Sequence, residues 1–128
     1  CGGISEVWKV AKLAQEYTMR FGTHSWSDAV AIIANAQVVS AMPNGISVEI
    51  DQMNNPFVND LLDEPLSITE GLLTLSDAPG LGISLNTDVV ERLRMTDPLC
   101  MPDGVFSDMM FGKDNIPDVL PYLEISKD

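Results

Sequence analysis

The first fifty residues switch between two hydrophobic rhythms, helical then extended, twice in succession. Residues 5–18 read as a helix: Ser5 is a plausible N-cap and Glu6 an acidic residue in the first turn. Val7, Val10 or Ala11, Ala14 and Thr18 fall at helical spacing, with Trp8 widening the apolar face. Arg20 to His24 is a short extended link. A second helix begins near Trp26, with Ser25 or Ser27 as its cap, Asp28 near its positive end, and Val30, Ile33, Ala34, Val38 and Ala41 as its buried stripe. Met42-Pro43-Asn44-Gly45 ends it, because the residue before proline avoids the helical region and Asn-Gly favours a turn. Ile46 to Asp51 then reads as a strand, Ile46, Val48 and Ile50 facing one way and Ser47 and Glu49 the other. Helix, strand, helix, strand with short links is the order of a parallel α/β fold.

The rhythm breaks after Asp51. Residues 52–60 are polar and turn-rich around Asn54-Asn55-Pro56, and a short apolar piece from Leu61 to Leu66 is ended by Pro65. Gly71 to Leu75 and Ile83 to Leu85 read as short strands on either side of a tight turn at Ala78-Pro79-Gly80-Leu81-Gly82. Thr87 to Met95 reads as a short helix capped by Asn86 or Thr87. The tail, residues 96–128, holds four prolines together with Met101, Phe106, Met109, Met110 and Phe111, and is expected to pack on the body or on a neighbouring subunit.

Composition narrows the partners. With 45% hydrophobic and 20% charged residues the chain is globular in character. Nineteen acidic residues against seven basic ones give a net charge of -12, which repels a phosphate backbone and argues against nucleic acid. The longest apolar run, within Ala29–Val39, is broken by Asn35 and Gln37 and is too short for a membrane span. The two cysteines, Cys1 and Cys100, suit neither a zinc site nor a disulfide framework and are expected to be free thiols in a cytoplasmic protein. The opening residues read as the inside of a strand-to-helix loop, so the chain is expected to be a piece of a longer protein.

His24, the single histidine, stands where a strand gives way to a helix, and Glu49 lies near the C-terminal end of the next strand. Parallel α/β folds place their chemistry at that edge. A histidine exchanges protons near neutral pH, and a neighbouring carboxyl group can hydrogen-bond a substrate. Taken alone, each residue has a plainer reading, a structural histidine and a solvated or capping glutamate. Gly2-Gly3 before a helix could approach an anion but is more simply a tight turn. Pro79-Gly80-Leu81-Gly82 lacks the Lys-Ser/Thr of a phosphate loop. The seven methionines read as packing filler.

Several segments in order resemble one family. Cys1-Gly2-Gly3-Ile4-Ser5-Glu6 is similar to the loop between the sixth barrel strand and sixth helix of the mandelate racemase subgroup of the enolase superfamily. Gly22-Thr23-His24-Ser25-Trp26 resembles the end of the seventh strand, and Val48-Glu49-Ile50-Asp51 with Asn55-Pro56 the end of the eighth. Glu64-Pro65-Leu66, Gly71 and Pro79-Gly80-Leu81-Gly82-Ile83 resemble the segment that returns to the capping domain.

The resemblance implies an α/β fold, the C-terminal portion of a modified (β/α) barrel of the TIM type. Residues 1–60 would supply the last barrel units, 61–95 the return to the capping domain, and 96–128 a tail. A whole barrel takes about 250 residues, so this one would be incomplete. It also implies an enzyme that removes the proton next to a carboxylate and passes through an enediolate. Dehydration of an acid sugar leads, with racemase or cycloisomerase chemistry as variants. His24 would be the catalytic base or acid, and Glu49 the carboxyl group that hydrogen-bonds the substrate. The aspartate that orients the histidine and the ligands of a Mg²⁺ ion would lie upstream, leaving this chain inactive by itself. The partners implied are a small-molecule carboxylate and further copies of the chain in a homo-oligomer. A binding or assembly module with a structural histidine is the competing class.

Overall fold

The computed structural model describes residues 2–96. The chain divides into two compact units, Cys1–Arg94 and Met95–Asp128. Every helix and strand among the described residues lies in the first unit. The expectations for the tail lie, Thr96 apart, outside the described residues, as does Cys1.

Helix α1 spans Ile4–Glu16. Its N-cap is Gly3, which offers no side-chain cap, so the expected cap Ser5 lies within the first turn. Lys9 bonds Glu6 there at 2.6 Å. The helix stops short of the expected Thr18. Tyr17 is the C-cap, Thr18 N–H donates to Gln15 O at 2.9 Å, and Met19 N–H donates to Ala14 O at 2.8 Å. This pair of bonds is a Schellman ending, whose left-handed residue is usually glycine. Here that residue is Thr18, with φ 56°. A β-branched side chain is costly in this region.

Strand β1, Phe21–Thr23, helix α2, Ala29–Ala41, and strand β2, Gly45–Val48, follow. The strands pair in parallel, and the helix is the crossover that such a pair needs. The cap of α2 is Asp28, not Ser25 or Ser27: its carboxylate accepts from Ala31 N–H at 2.9 Å. The helix therefore starts three residues later than predicted. Its buried residues are Ala29, Ile32, Ile33, Ala36 and Val38. Of the expected stripe only Ile33 and Val38 are buried; Val30 and Ala34 are half-buried and Ala41 is exposed. Periodicity cannot choose a face because α2 is apolar almost all round. It packs against β1 and β2, α1 and the later short helix Pro56–Asn59.

The core between the two long helices joins Ala11, Phe21, Val38 and Met42, with Val7, Trp8 and Val39 against it. Asn44 fastens the turn between α2 and β2 to the end of α1. Its amide donates to Ala11 O and Met19 O, both at 3.1 Å, and its backbone carbonyl accepts from Phe21 N–H at 2.8 Å. Gly45 opens β2 so close to α2 that a Cβ there would lie 2.1 Å from Val39 O.

β2 is shorter than the predicted Ile46–Asp51 strand and carries a bulge. Phe21 pairs with Gly45, but Gly22 pairs with Ser47 and Thr23 with Val48, which leaves Ile46 as an extra residue. The expected alternation therefore breaks at Ile46, which is exposed.

The remainder is built of short pieces. Helix α3, Pro56–Asn59, falls inside the segment that reads as turns; Asn55 caps it and proline occupies its first turn. Strands β3, Ile68–Thr69, and β4, Leu72–Leu73, form an antiparallel hairpin. Its two turn residues, Glu70 and Gly71, have φ 52° and 78°, as a type I′ turn requires. The sequence predicts only the second strand, within Gly71–Leu75. The predicted strand Ile83–Leu85 reduces to one bridge between Leu85 and Leu62. Helix α4, Thr87–Leu93, is capped by Asn86 rather than Thr87, and ends before the expected Met95. No helix among the described residues is long and apolar enough to cross a membrane.

Two substitutions test these backbone contacts in equilibrium denaturant unfolding of the protein that contains the chain. Thr18→Gly should stabilise by about 1 kcal/mol, because it relieves the left-handed cost. Gly45→Ala should destabilise by about 3 kcal/mol, because the new methyl group meets backbone rather than a movable side chain. A Gly45→Ala protein as stable as wild type would mean that α2 and β2 do not approach as closely as described.

Candidate functional site

β1 and β2 run in parallel, so their C-terminal ends share one edge, and the chain leaves that edge at His24 and at Glu49. The ladder continues one bond beyond the strands: Glu49 N–H donates to Thr23 O at 3.2 Å. This bond and the bulge together decide which residue faces His24. Counting straight from Phe21 and Gly45, His24 would stand opposite Val48. The extra residue Ile46 advances β2 by one position, so that Glu49 stands there instead. Bulges commonly re-aim a side chain in this way.

The structure brings the two predicted site residues together. His24 Nδ1 and Glu49 Oε2 form a hydrogen bond between side chains that are 74% and 57% exposed. A polar contact so open to water contributes little to stability, so the backbone around it must do most of the placing. The bond occupies Nδ1 and leaves Nε2 as the nitrogen available for proton exchange. The resemblance assigns the orienting role to an aspartate outside the chain; within the described residues Glu49 is the carboxylate on the imidazole.

The surroundings are partly apolar. His24 and Trp26 border a concave space of about 750 Å³ whose other walls include Val7 and Val10 of α1 and Ala34 of α2. Trp26 itself is 74% exposed. The loops that follow the strands are joined at a second place, where Asn55 Nδ2 donates to Ser27 O at 3.3 Å. Asn55 is part of the Asn-Pro pair in the turn-rich segment, but no sequence signal links it to Ser27, 28 residues earlier.

Mg²⁺, which the resemblance implies, needs a cluster of oxygen ligands. No group of three or more His, Cys, Asp or Glu side chains among the described residues could hold a metal ion. Among the described residues, then, no ligand of such an ion can be assigned.

Residues 1–89 match the family model described as "Enolase C-terminal domain-like". The chain is 41% identical over 106 residues to the D-galactarolactone cycloisomerase of Agrobacterium fabrum (strain C58), a match covering 77% of this chain and 28% of that enzyme. It is 34% identical over 90 residues to the D-xylonate dehydratase of Haloferax volcanii, covering 70% of this chain and 22% of that one. The chain thus spans about a quarter of the length of the curated relatives it matches. A crystal structure of an enolase of the mandelate racemase subgroup from Agrobacterium tumefaciens shares the fold, with a TM-score of 0.61 at 24% identity over 72% of this chain and 25% of that chain. With well over half of its residues matched to the family model, this chain belongs to the enolase C-terminal domain-like family of the enolase superfamily.

Proposed function

We propose that the chain is the C-terminal barrel portion of an acid-sugar dehydratase in which His24 moves the proton next to the substrate carboxylate. Residues 1–60 supply the last strand and helix units of a (β/α) barrel, and residues 61–95 return toward a capping domain. The observation that carries the reading is the contact between His24 and Glu49 at the C-terminal edge of two parallel strands. Barrel enzymes place their catalytic groups at that edge.

His24 Nε2 takes the proton from the carbon next to the carboxylate, and the bonding pair passes into an enediolate. The imidazole then returns that proton to the β-hydroxyl as it departs. The Cβ–O bond breaks, water leaves, and the enol product ketonises. Glu49 Oε2 accepts from imidazole Nδ1–H and holds the ring, and Oε1, carrying a proton, donates to the substrate carboxylate. The enzyme this describes is cytoplasmic and homo-oligomeric, and its substrate is a small polyhydroxy acid.

A second reading has a specific observation behind it. The 41% identical relative is named a cycloisomerase, and isomerisation of a lactone can begin with the same proton removal. The two readings differ in product, since dehydration expels water and isomerisation leaves the mass unchanged.

The test uses the full-length protein in Mg²⁺-containing buffer against a panel of acid sugars and their lactones, with products read by mass spectrometry. Wild type should release water from at least one acid sugar, and His24→Asn should lower kcat by about a hundredfold or more. Turnover undiminished in the His24→Asn variant would return His24 to a structural role and defeat the proposal.

A further inference from the structure

The side chain of Asn55 bonds two separate parts of the chain. Its Oδ1 accepts from Phe57 N–H at 3.0 Å, and its backbone carbonyl accepts from Val58 and Asn59 N–H, each at 2.9 Å. These bonds cap α3. Its Nδ2 does something else: it leaves the local element and donates to Ser27 O at 3.3 Å. Ser27 sits in the loop that starts with His24, immediately before Asp28, the cap of α2. Asn55 closes the loop that starts with Glu49. That loop is braced along its length, since Met53 N–H donates to Asp51 Oδ1 and Asn55 N–H to Met53 O, both at 2.8 Å.

The two loops are therefore joined at both ends. At one end Glu49 N–H bonds Thr23 O; at the other Asn55 Nδ2 bonds Ser27 O. His24 lies between those junctions on the first loop and follows the strand directly. Its exposed bond to Glu49 cannot set its direction unaided. The second junction limits how far the His24 loop can swing away from Glu49. Asparagine suits the position because one side chain must accept for the cap and donate for the tie. Serine or aspartate also caps a helix, but neither carries the amide donor, and aspartate would turn an acceptor toward the Ser27 carbonyl.

We propose that Asn55 is a positioning residue of this site, whose amide ties the two loops and keeps His24 facing Glu49. The catalytic part of this inference rests on the proton-transfer reading of His24. The test makes Asn55→Ser and Asn55→Asp in the full-length protein, since both keep a capping oxygen for α3. Hydrogen exchange read by mass spectrometry compares residues 24–28 with residues 56–60, and steady-state kinetics on the substrate found in the panel gives kcat and KM. The expected result is exchange several-fold faster across residues 24–28, little change across residues 56–60, and kcat about tenfold lower with KM nearly constant. Unchanged exchange across residues 24–28 would overturn the tie. Faster exchange with kcat unchanged would overturn the positioning role and leave a purely structural bond. If His24→Asn retains turnover, the proton-transfer reading fails and the positioning role fails with it, while the exchange comparison still decides whether Asn55 joins the loops.

Discussion

The short parallel ladder between β1 and β2 is the constraint on which the rest depends. It spans three residues of β1, yet it aligns the C-terminal ends of both strands and so gives two distant residues one edge. Its bulge is as important as its pairing. With no extra residue at Ile46, the apolar Val48 would face His24. The site therefore rests on an irregularity that begins where Gly45 is pressed against the end of α2.

Around that ladder the packing is tight where the chain folds back on itself. α2 lies against both strands and two other helices, and Asn44 bonds α1 to the turn before β2. Elsewhere large apolar side chains face outward: Leu13 and Tyr17 at the end of α1, Trp26 beside His24, and Ile46 on β2 are all more than half exposed. Among the described residues β1 and β2 have no further strand beside them, and two short strands stand poorly by themselves. Both features agree with a chain spanning about a quarter of the relatives it matches. They also agree with a site whose one described carboxylate on the histidine is Glu49.

The alternation of helix and strand is legible because burial imposes different periods on the two, and the Met42-Pro43-Asn44-Gly45 stop is legible because proline and glycine restrict the backbone directly. Caps are less so. Ser5, Ser25, Ser27 and Asp28 are all chemically fit for the role, and only the backbone path selects Gly3 and Asp28. The face of α2 is hidden because a helix surrounded by neighbours is apolar on several sides. β3 and α3 escape notice because two to four residues carry too little pattern.

His24 and Glu49 can be singled out from the sequence because a lone histidine at a strand end and a glutamate at the next are visible as residue types in a periodic context, and because the surrounding motifs resemble those of a known family. The sequence by itself thus determined the α/β class, the order of the longer elements and the strand-end positions of these two residues, since local sterics and hydrophobic period act within a few residues of chain. The tertiary structure alone decided that Glu49 rather than Val48 faces the imidazole, that the bond is made through Nδ1, and that Asn55 reaches Ser27. Those outcomes depend on strand register and on contacts 25 and 28 residues apart, which no local pattern encodes.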